Sequence, residues 1–213
     1  MHVVLFKRDL RVAHHEALYR AAQQGPVLPL YILEPDLWRQ PDLSHRHYAF
    51  LRECLSSLEH ELNQLGLALV IKVGEAVEVL AALHAQARLT ALWSHQETWN
   101  GWSYQRDKKV QAWVKAQNLV WHQPLQHGVF RGLSNRDQWT KRWFDHIYHC
   151  PPTLAGVSHY QLDLKKYVSD ALPTPAALGL VDDGCVERQT GGRQAALSLL
   201  ASFLTTRGQC YTR

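Results

Sequence analysis

The chain has 213 residues, of which 46% are hydrophobic and 20% are charged, a composition typical of an ordinary globular protein rather than a disordered one. Its formal net charge of +4 is too small to diagnose nucleic-acid binding, although it permits such binding. No apolar stretch is long enough to span a bilayer, and the four cysteines form no C-x-x-C pair. We therefore expect a cytoplasmic protein with free thiols and no metal site.

Short apolar runs alternate with amphipathic segments along the first 130 residues. The runs predict five buried strands at residues 2–6, 27–33, 67–73, 89–94 and 119–122. The amphipathic segments predict helices at about residues 16–24, 45–65, 75–88 and 103–117. The proline-containing residues 34–43 are predicted to be a loop. This alternation predicts an α/β fold with a Rossmann-like doubly wound five-stranded parallel sheet.

The pattern changes after residue 130. Asn135 can cap a helix that runs to about Tyr148, and a region without strong periodicity follows it. A last helix begins near residue 191 and carries an apolar stripe that needs a packing partner: Ala195, Ala196, Leu199, Leu200, Phe203 and Leu204. The predicted units are an α/β domain (1–130), an interdomain helix and linker (131–190) and a further helix (191–213). That helix could fold back onto the sheet domain or begin another domain.

The stretch "FKRDLR" places three cations and one acid directly after the first predicted strand. In an open α/β sheet, ligands bind at the carboxyl ends of the strands where the strand order reverses, and the first strand normally borders that point. Lys7, Arg8, Asp9 and Arg11 are therefore candidates for a ligand site, although no G-x-G-x-x-G phosphate cradle follows the strand. The alternative is that Asp9 only pairs with a neighbouring cation and fixes the loop.

Several segments, in the right order along the whole chain, resemble the DNA photolyase/cryptochrome family. "LFKRDLRVAHHEAL" is similar to the family's opening pattern W-F-R-x-D-L-R-x-x-D-N-x-A-L, with His14 and His15 in place of the Asp-Asn pair. "WSHQETWNGWSYQRDKKVQAW" and "NRDQWTKRW" resemble later segments, and "GGRQAALSLLASF" resembles the first helix of the family's FAD-binding domain. A neutral histidine is expected to cap a helix less well than Asp or Asn, so this departure predicts a weaker cap and a weaker antenna contact.

The resemblance implies an N-terminal α/β domain, a linker and a helical domain that holds FAD. Photolyases of this family use light and reduced FAD to split pyrimidine dimers in DNA, cryptochromes use the same frame for signalling, and many members bind an antenna folate or flavin-like pigment. We expect this chain to supply the antenna domain of such a flavoprotein, with damaged DNA and the helical FAD domain as partners. By itself it is expected neither to hold FAD nor to repair DNA. The alternatives are a blue-light photosensor and a free-standing nucleotide-binding α/β module.

The resemblance also implies where an antenna pigment would bind. Lys7 and Arg8 are candidate contacts for an anionic pigment or for the FAD domain, whereas Asp9 and Arg11 are interpreted mainly as fixing the loop. We expect the site to lie between the ends of the first and fourth strands.

Glu97 is the candidate from the loop after the fourth strand, where it stands beside Trp99 and Trp102. Folate-binding relatives have a Glu near this place that contacts the pterin, and a carboxylate can accept two hydrogen bonds from a ring N–H edge. The alternative interpretation of Glu97 is a solvated loop acid.

Overall fold

A computed structural model of the chain describes residues 1–133, 135–149, 153–154 and 166–211. Its centre is a five-stranded sheet in which all neighbouring strands are parallel, in the order β3-β2-β1-β4-β5. The strands are β1 (His2–Phe6), β2 (Val27–Leu33), β3 (Val70–Val73), β4 (Ala91–Trp93) and β5 (Val120–His122). The strand order therefore reverses between β1 and β4, and the predicted doubly wound parallel sheet is confirmed.

The helices of the described ranges follow the predicted alternation, with two corrections. They are α1 (Glu16–Ala22), α2 (Pro35–Trp38), α3 (His45–Gln64), α4 (Ala76–Ala87), α5 (Gly101–Ala116), α6 (Trp139–Tyr148) and α7 (Arg193–Thr205). The short helix α2 lies within residues 34–43, where a loop was predicted, because Pro35 occupies the first helical turn and its missing N–H is not needed there. Helix α6 begins at Trp139 rather than near Asn135, whose side chain accepts a hydrogen bond from the Asp137 N–H (3.2 Å) instead.

Apolar side chains fill both faces of the sheet. On one face α1 and α3 pack against β1 and β2, and the predicted leucine face of α3 is buried: Leu51, Leu55, Leu58 and Leu62. On the other face α4 and α5 cover the sheet through Leu80, Leu83, Val110 and Val114. Strands buried on both faces explain why the sequence shows continuous apolar runs rather than alternation.

Ser169 and Asp170, in the described stretch 166–180, pair with the outer edge of the sheet at β3. The Asp170 N–H donates to the carbonyl of Ile71 (2.8 Å), and the Asp170 carboxylate accepts from the Val73 N–H (2.9 Å). Ser169 Oγ accepts from the Ile71 N–H (3.0 Å). The linker therefore covers an edge that would otherwise present unpaired backbone groups. The other parts of the predicted linker at residues 150–152 and 155–165 lie outside the described residues.

Helices α6 and α7 contrast with the helices that cover the sheet, because none of their residues is buried. The predicted apolar stripe on α7 is open: its leucines and Phe203 are each at least 38% exposed. The chain at the start of α7 lies close to α3, because the Gly191 and Gly192 N–H groups donate to side chains of that helix. Over the ranges that the structure describes, no helix combines the length and the apolar character that a membrane span requires.

Candidate ligand-binding site

The loop after β1 sends its charged side chains in different directions. Asp9 is only 3% exposed and Lys7 only 8%, whereas Arg8 is exposed. The Lys7 N–H donates to Asp9 Oδ1 (2.9 Å), which ties the turn to its own acid. The predicted loop-fixing role of Asp9 thus has a direct geometric counterpart, although its partners are not the arginines considered from the sequence.

Asp9 lies between two buried histidines at the point where the strand order reverses. His95 Nδ1, from the loop after β4, is 2.6 Å from Asp9 Oδ2. His15 Nε2, from the start of α1, is 2.9 Å from the same oxygen, at an angle too poor for a full hydrogen bond. These three side chains are at most 3% exposed and occupy the space between the ends of β1 and β4. The predicted ligand residues Lys7, Arg8, Arg11 and Glu97 line the neighbouring cavity instead.

His15 also caps α1, which corrects the expectation that a histidine would serve poorly there. Its Nδ1 accepts a hydrogen bond from the Leu18 N–H (3.0 Å), in the position where an Asn or Asp oxygen usually acts. Burial lowers the pKa of His15 below its usual value and outweighs the opposing effect of Asp9. The ring is therefore neutral, which is the form that can accept from a backbone N–H.

Burial disfavours the charged form of Asp9, but its contacts with His15 and His95 outweigh this effect and hold the pKa of the carboxyl well below its usual range. The three ligand atoms of this cluster lie within 4.8 Å of one another, a spacing compatible with a metal ion. The cap argues against that interpretation, because a neutral His15 that accepts at Nδ1 carries its proton on Nε2 and then has no lone pair there for a metal. The cluster therefore fixes the loop after β1 to the start of α1 and to the loop after β4.

A second group of charges lies under the ends of β1 and β2. Arg106 of α5 donates to Glu34 (Nη1–Oε2, 3.1 Å), to Glu97 and to Asp107 (Nε–Oδ1, 3.0 Å). Lys7 Nζ donates to Asp107 Oδ2 (3.2 Å) and lies 4.0 Å from Glu97 Oε2. These five side chains form one charge network with three acids and two cations, and a solvated loop position for Glu97 is wrong because it is 9% exposed.

Glu34 is the innermost acid of this network. One of its oxygens accepts from the Ala76 N–H at the start of α4 (3.1 Å), and the other accepts from Arg106. Burial raises the pKa of Glu34, and Arg106 only partly offsets that effect. A carboxylate with spare acceptor capacity and a raised pKa is suited to receiving hydrogen bonds from a ligand.

A cavity of about 590 Å³ opens above this network. Its walls come from the end of β1, the end of β2, α2, α3, the loop after β4 and the start of α7, and they include Phe6, Tyr31, Leu37, Trp38, Phe50, Leu51, Trp99 and Ala196. Lys7, Arg8, Arg11 and Glu97 also line it, whereas Asp9 does not. The volume and the largely apolar lining are typical of sites for aromatic small molecules.

Three arginines that line the cavity lack a carboxylate partner among the described residues. The Arg8 guanidinium lies 4.6 Å from the centroid of the Trp99 ring, and Arg11 donates to the carbonyl of His14 (3.4 Å). The side chain of Arg193, on α7, makes no hydrogen bond or ion pair with any residue that the structure describes. The cavity therefore combines an acidic floor with three wall arginines that have no carboxylate partner among the described residues, and its lining also includes Asp42, which accepts from Asn100 (3.0 Å).

Sequence reasoning missed several residues of this site. Glu34 and His95 follow β2 and β4 closely, so the rule that placed Lys7 at the carboxyl edge could have found them as well. Arg106 and Arg193 come from helices far along the chain, and no spacing in the sequence marks them. Trp102, predicted beside Glu97, lies 5.9 Å from the Arg106 guanidinium and does not line the cavity.

The family model "DNA photolyase" matches residues 2–138, which is more than half of the chain. A curated relative, cryptochrome DASH (chloroplastic/mitochondrial) of Arabidopsis thaliana, is 33% identical over 103 residues, which cover 45% of this chain and 18% of the relative. A deoxyribodipyrimidine photo-lyase of Synechococcus sp. is 27% identical over 214 residues, which cover 92% of this chain and 44% of the relative. The chain spans less than half the length of these relatives.

The fold is also that of solved photolyases. A photolyase of the archaeon Sulfolobus tokodaii, solved with two FAD molecules, superposes with a TM-score of 0.64 at 21% identity, over 93% of this chain and 45% of that one. The parallel sheet agrees with the family match. The chain belongs to the DNA photolyase family and corresponds to its N-terminal α/β domain.

Proposed function

We propose that this chain is the antenna domain of a photolyase-like flavoprotein that uses light to repair pyrimidine dimers in DNA, and that its cavity binds an antenna pigment of the folate or flavin type. The single observation that carries the proposal is the cavity at the ends of β1 and β2, where three of the four lining arginines have no carboxylate partner among the described residues. An aromatic pigment with an anionic tail supplies both the apolar surface and the negative charge that such a cavity requires.

The walls suggest how such a pigment would lie. Its ring would contact Tyr31 and Trp99, and its ring N–H groups would donate to Glu34 and Glu97 on the acidic floor. Its carboxylate or phosphate would then face Arg8 and the other arginines of the walls. In this proposal Lys7 holds the floor acids through Asp107 and Glu97 rather than contacting the ligand first.

The catalytic part of the proposal rests on the family. In this proposal residues 1–130 form the antenna domain, residues 131–190 connect the domains, and residues 191–213 begin the helical domain that holds FAD in the full-length cytoplasmic protein. The archaeal relative was solved with two FAD molecules, which implicated a novel light-harvesting cofactor in that protein. A blue-light photosensor is the second candidate, because a relative with 33% identity is a cryptochrome; the antenna site would serve either activity.

The antenna site is tested by titrating the chain with a reduced folate and with FMN and following pigment fluorescence. We expect one pigment to bind stoichiometrically to the wild type. Replacing Glu97 by Gln removes a floor acceptor charge, and replacing Arg8 by Ala removes a wall cation, so each variant should bind about tenfold or more weakly. Lys109→Ala is the matched control, because Lys109 pairs with Glu75 on the surface, outside the cavity. Failure of both pigments to bind the wild type would contradict the proposal.

The same purified chain tests the assignment of FAD binding and DNA repair to the helical domain. We expect no stoichiometric flavin absorption after purification and no dimer splitting under blue light, because the proposal assigns FAD to the helical domain. A full-length protein containing this domain should split dimers under light. Tight FAD retention with repair by this chain alone would overturn the assignment.

A further inference from the structure

The first turn of α7 forms one wall of the cavity. Gly192, Arg193 and Ala196 line it together with Arg8 and Arg11 from the β1 loop. The cavity is therefore not contained in the sheet domain alone, since part of its lining comes from residues more than 180 positions further along the chain.

A compact set of contacts attaches this turn to α3. The Arg188 guanidinium donates to both oxygens of Glu53 (Nη1–Oε2, 3.0 Å), and the Gly191 N–H donates to Glu53 Oε2 (2.7 Å). The Gly192 N–H donates to the sulfur of Cys54 (3.2 Å). The hydrogen bonds from Arg188 lower the pKa of Glu53 to about 2, so this acceptor is charged at neutral pH. We call Glu53, Arg188 and Gly191 the α3 clasp.

The clasp depends on close backbone approach. A Cβ at Gly191 would lie 2.4 Å from the Phe50 carbonyl oxygen, and Gly192 has a φ of +102°, which side-chain-bearing residues rarely adopt. Beyond this turn every residue of α7 is at least partly exposed. The clasp therefore fixes the position of Arg193, while the remainder of α7 contributes little to holding the helix against the sheet domain.

We propose that Arg193 is a ligand-binding residue of the cavity, that it binds the anionic group of an aromatic ligand, and that the α3 clasp positions it. The inference deepens the proposed function and rests on it. The Arg193 side chain has no polar partner among the described residues, and it lines the same cavity as Arg8 and Arg11. An arginine fork pairs with the geometry of a carboxylate or a phosphate, and several such donors around one anion reinforce one another.

A consequence follows by linkage. A ligand that touches both Arg193 and the sheet domain stabilises the attachment of α7 by the same factor by which that attachment strengthens ligand binding. Ligand binding should therefore protect the first turn of α7 from local opening, whereas the exposed distal half of the helix should respond less.

FMN and riboflavin provide the sharpest test, because they share a ring and differ by one phosphate. For Arg193→Ala we expect FMN affinity to fall about tenfold to a hundredfold while riboflavin affinity changes less than about threefold. Folate pigments form a parallel arm, in which a folate with its carboxylates is compared with its pteridine ring alone; this arm distinguishes a carboxylate from a phosphate as the group bound. Gln194→Ala, one residue further on the same turn, is the matched control and should change neither affinity.

Glu53→Gln tests the clasp as a positioning element. It should lower FMN affinity less than Arg193→Ala does, and it should leave riboflavin affinity nearly unchanged. The double variant of Glu53→Gln with Arg193→Ala should lose little FMN affinity beyond that lost by Arg193→Ala alone. Hydrogen exchange of residues 193–197 should slow when FMN binds the wild type and should not slow in Arg193→Ala. If FMN, riboflavin and folates all fail to bind the wild type, the proposed function fails and this inference with it. If a pigment binds wild type and Arg193→Ala equally, only this inference is overturned.

Discussion

Two crevices lie side by side at the carboxyl edge of the sheet, and the same loop after β1 borders both. Between β1 and β4 the space is closed by Asp9 with His15 and His95. Toward β2 a cavity of about 590 Å³ remains open, with Arg8 and Arg11 on its wall. The acid of the loop turns inward and its arginines line the cavity. The difference teaches that a switch point locates a ligand site only to within a strand, and that side-chain pairing decides which crevice remains open.

The largest expected effect comes from removing the cation that neutralises the floor of the open crevice. Replacing Arg106 by Met leaves Glu34, Glu97 and Asp107 close together with Lys7 as the single cation of the network. Breaking a buried ion network in this way costs about 3–5 kcal/mol. Urea denaturation followed by circular dichroism measures the loss of the free energy of unfolding.

Lys109→Met, on the same helix, is the control for that experiment. Its ion pair with Glu75 (3.1 Å) has both side chains well exposed, so we expect a loss of no more than about 1 kcal/mol. Equal losses in the two variants would show that the floor acids are not held charged, and the contrast between the crevices would lose its electrostatic basis.

The second effect concerns the closed crevice. Asp9→Asn keeps the shape of the side chain but replaces a carboxylate that accepts from His95 and from the Lys7 N–H. Hydrogen bonds to a charged group contribute about 1.5–3 kcal/mol, and we expect a loss of stability of that order. The exposed Asp145 of α6 gives the control variant Asp145→Asn, which should be neutral. A neutral Asp9→Asn would mean that packing alone closes the crevice.

The third effect is a dependence on pH that belongs to the closed crevice. Burial lowers the pKa of His15 in the folded chain, whereas the unfolded chain takes up a proton near pH 6.5. The free energy of unfolding should therefore fall as the pH drops below about 6.5, by at most about 1.4 kcal/mol per pH unit from this residue. His15→Asn, which restores a standard helix cap, should flatten this slope between pH 7.5 and pH 5.

His60→Asn serves as the control for that slope, because His60 lies on the exposed face of α3, where its ring shares a hydrogen bond with Gln64 (3.0 Å). Some slope should survive in His15→Asn, since burial also lowers the pKa values of His2 and His122. An unchanged slope in His15→Asn would indicate that the Asp9 cluster is protonated equally in folded and unfolded chains.

The smallest effect sharpens the contrast within a single loop. Arg8 is exposed and its contact with the Trp99 ring is worth about 1 kcal/mol at most, so Arg8→Ala should change stability by no more than that. Asp9→Asn, at the neighbouring position, should lower the free energy of unfolding by clearly more than Arg8→Ala does. If Arg8→Ala destabilised the chain as much as Asp9→Asn, the loop would not divide into a buried acid that stabilises the fold and an exposed arginine that is free to bind a ligand.

The sheet was predictable because each strand and each covering helix has a hydrophobic pattern that lies within a few consecutive residues and recurs along the chain. Each buried strand is an apolar run, and the spacing of the α3 leucines alone reports the face that packs on the sheet. The short helix α2 was missed because prolines were taken as loop signals, whereas Pro35 sits at the one helical position that tolerates it.

The candidate site was only half predictable, for a different reason. Lys7 directly follows the first predicted strand and Glu97 lies three residues after the fourth, so the position of the strand ends was enough to select them. The pairing of Asp9 with His15 and His95 depends on side-chain directions that no periodicity encodes. Arg193 reaches the cavity only because two glycines let the chain approach α3 closely.

The linker along β3 has a consequence for handling the protein. Without residues 166–180, the Ile71 and Val73 amides would lie at an open strand edge, which is a template for pairing with another copy. A version trimmed to the family match at residue 138 would keep the whole sheet and still be prone to edge-to-edge aggregation. The unit to express is therefore longer than the unit recognised by sequence comparison, and its boundary should fall after residue 180.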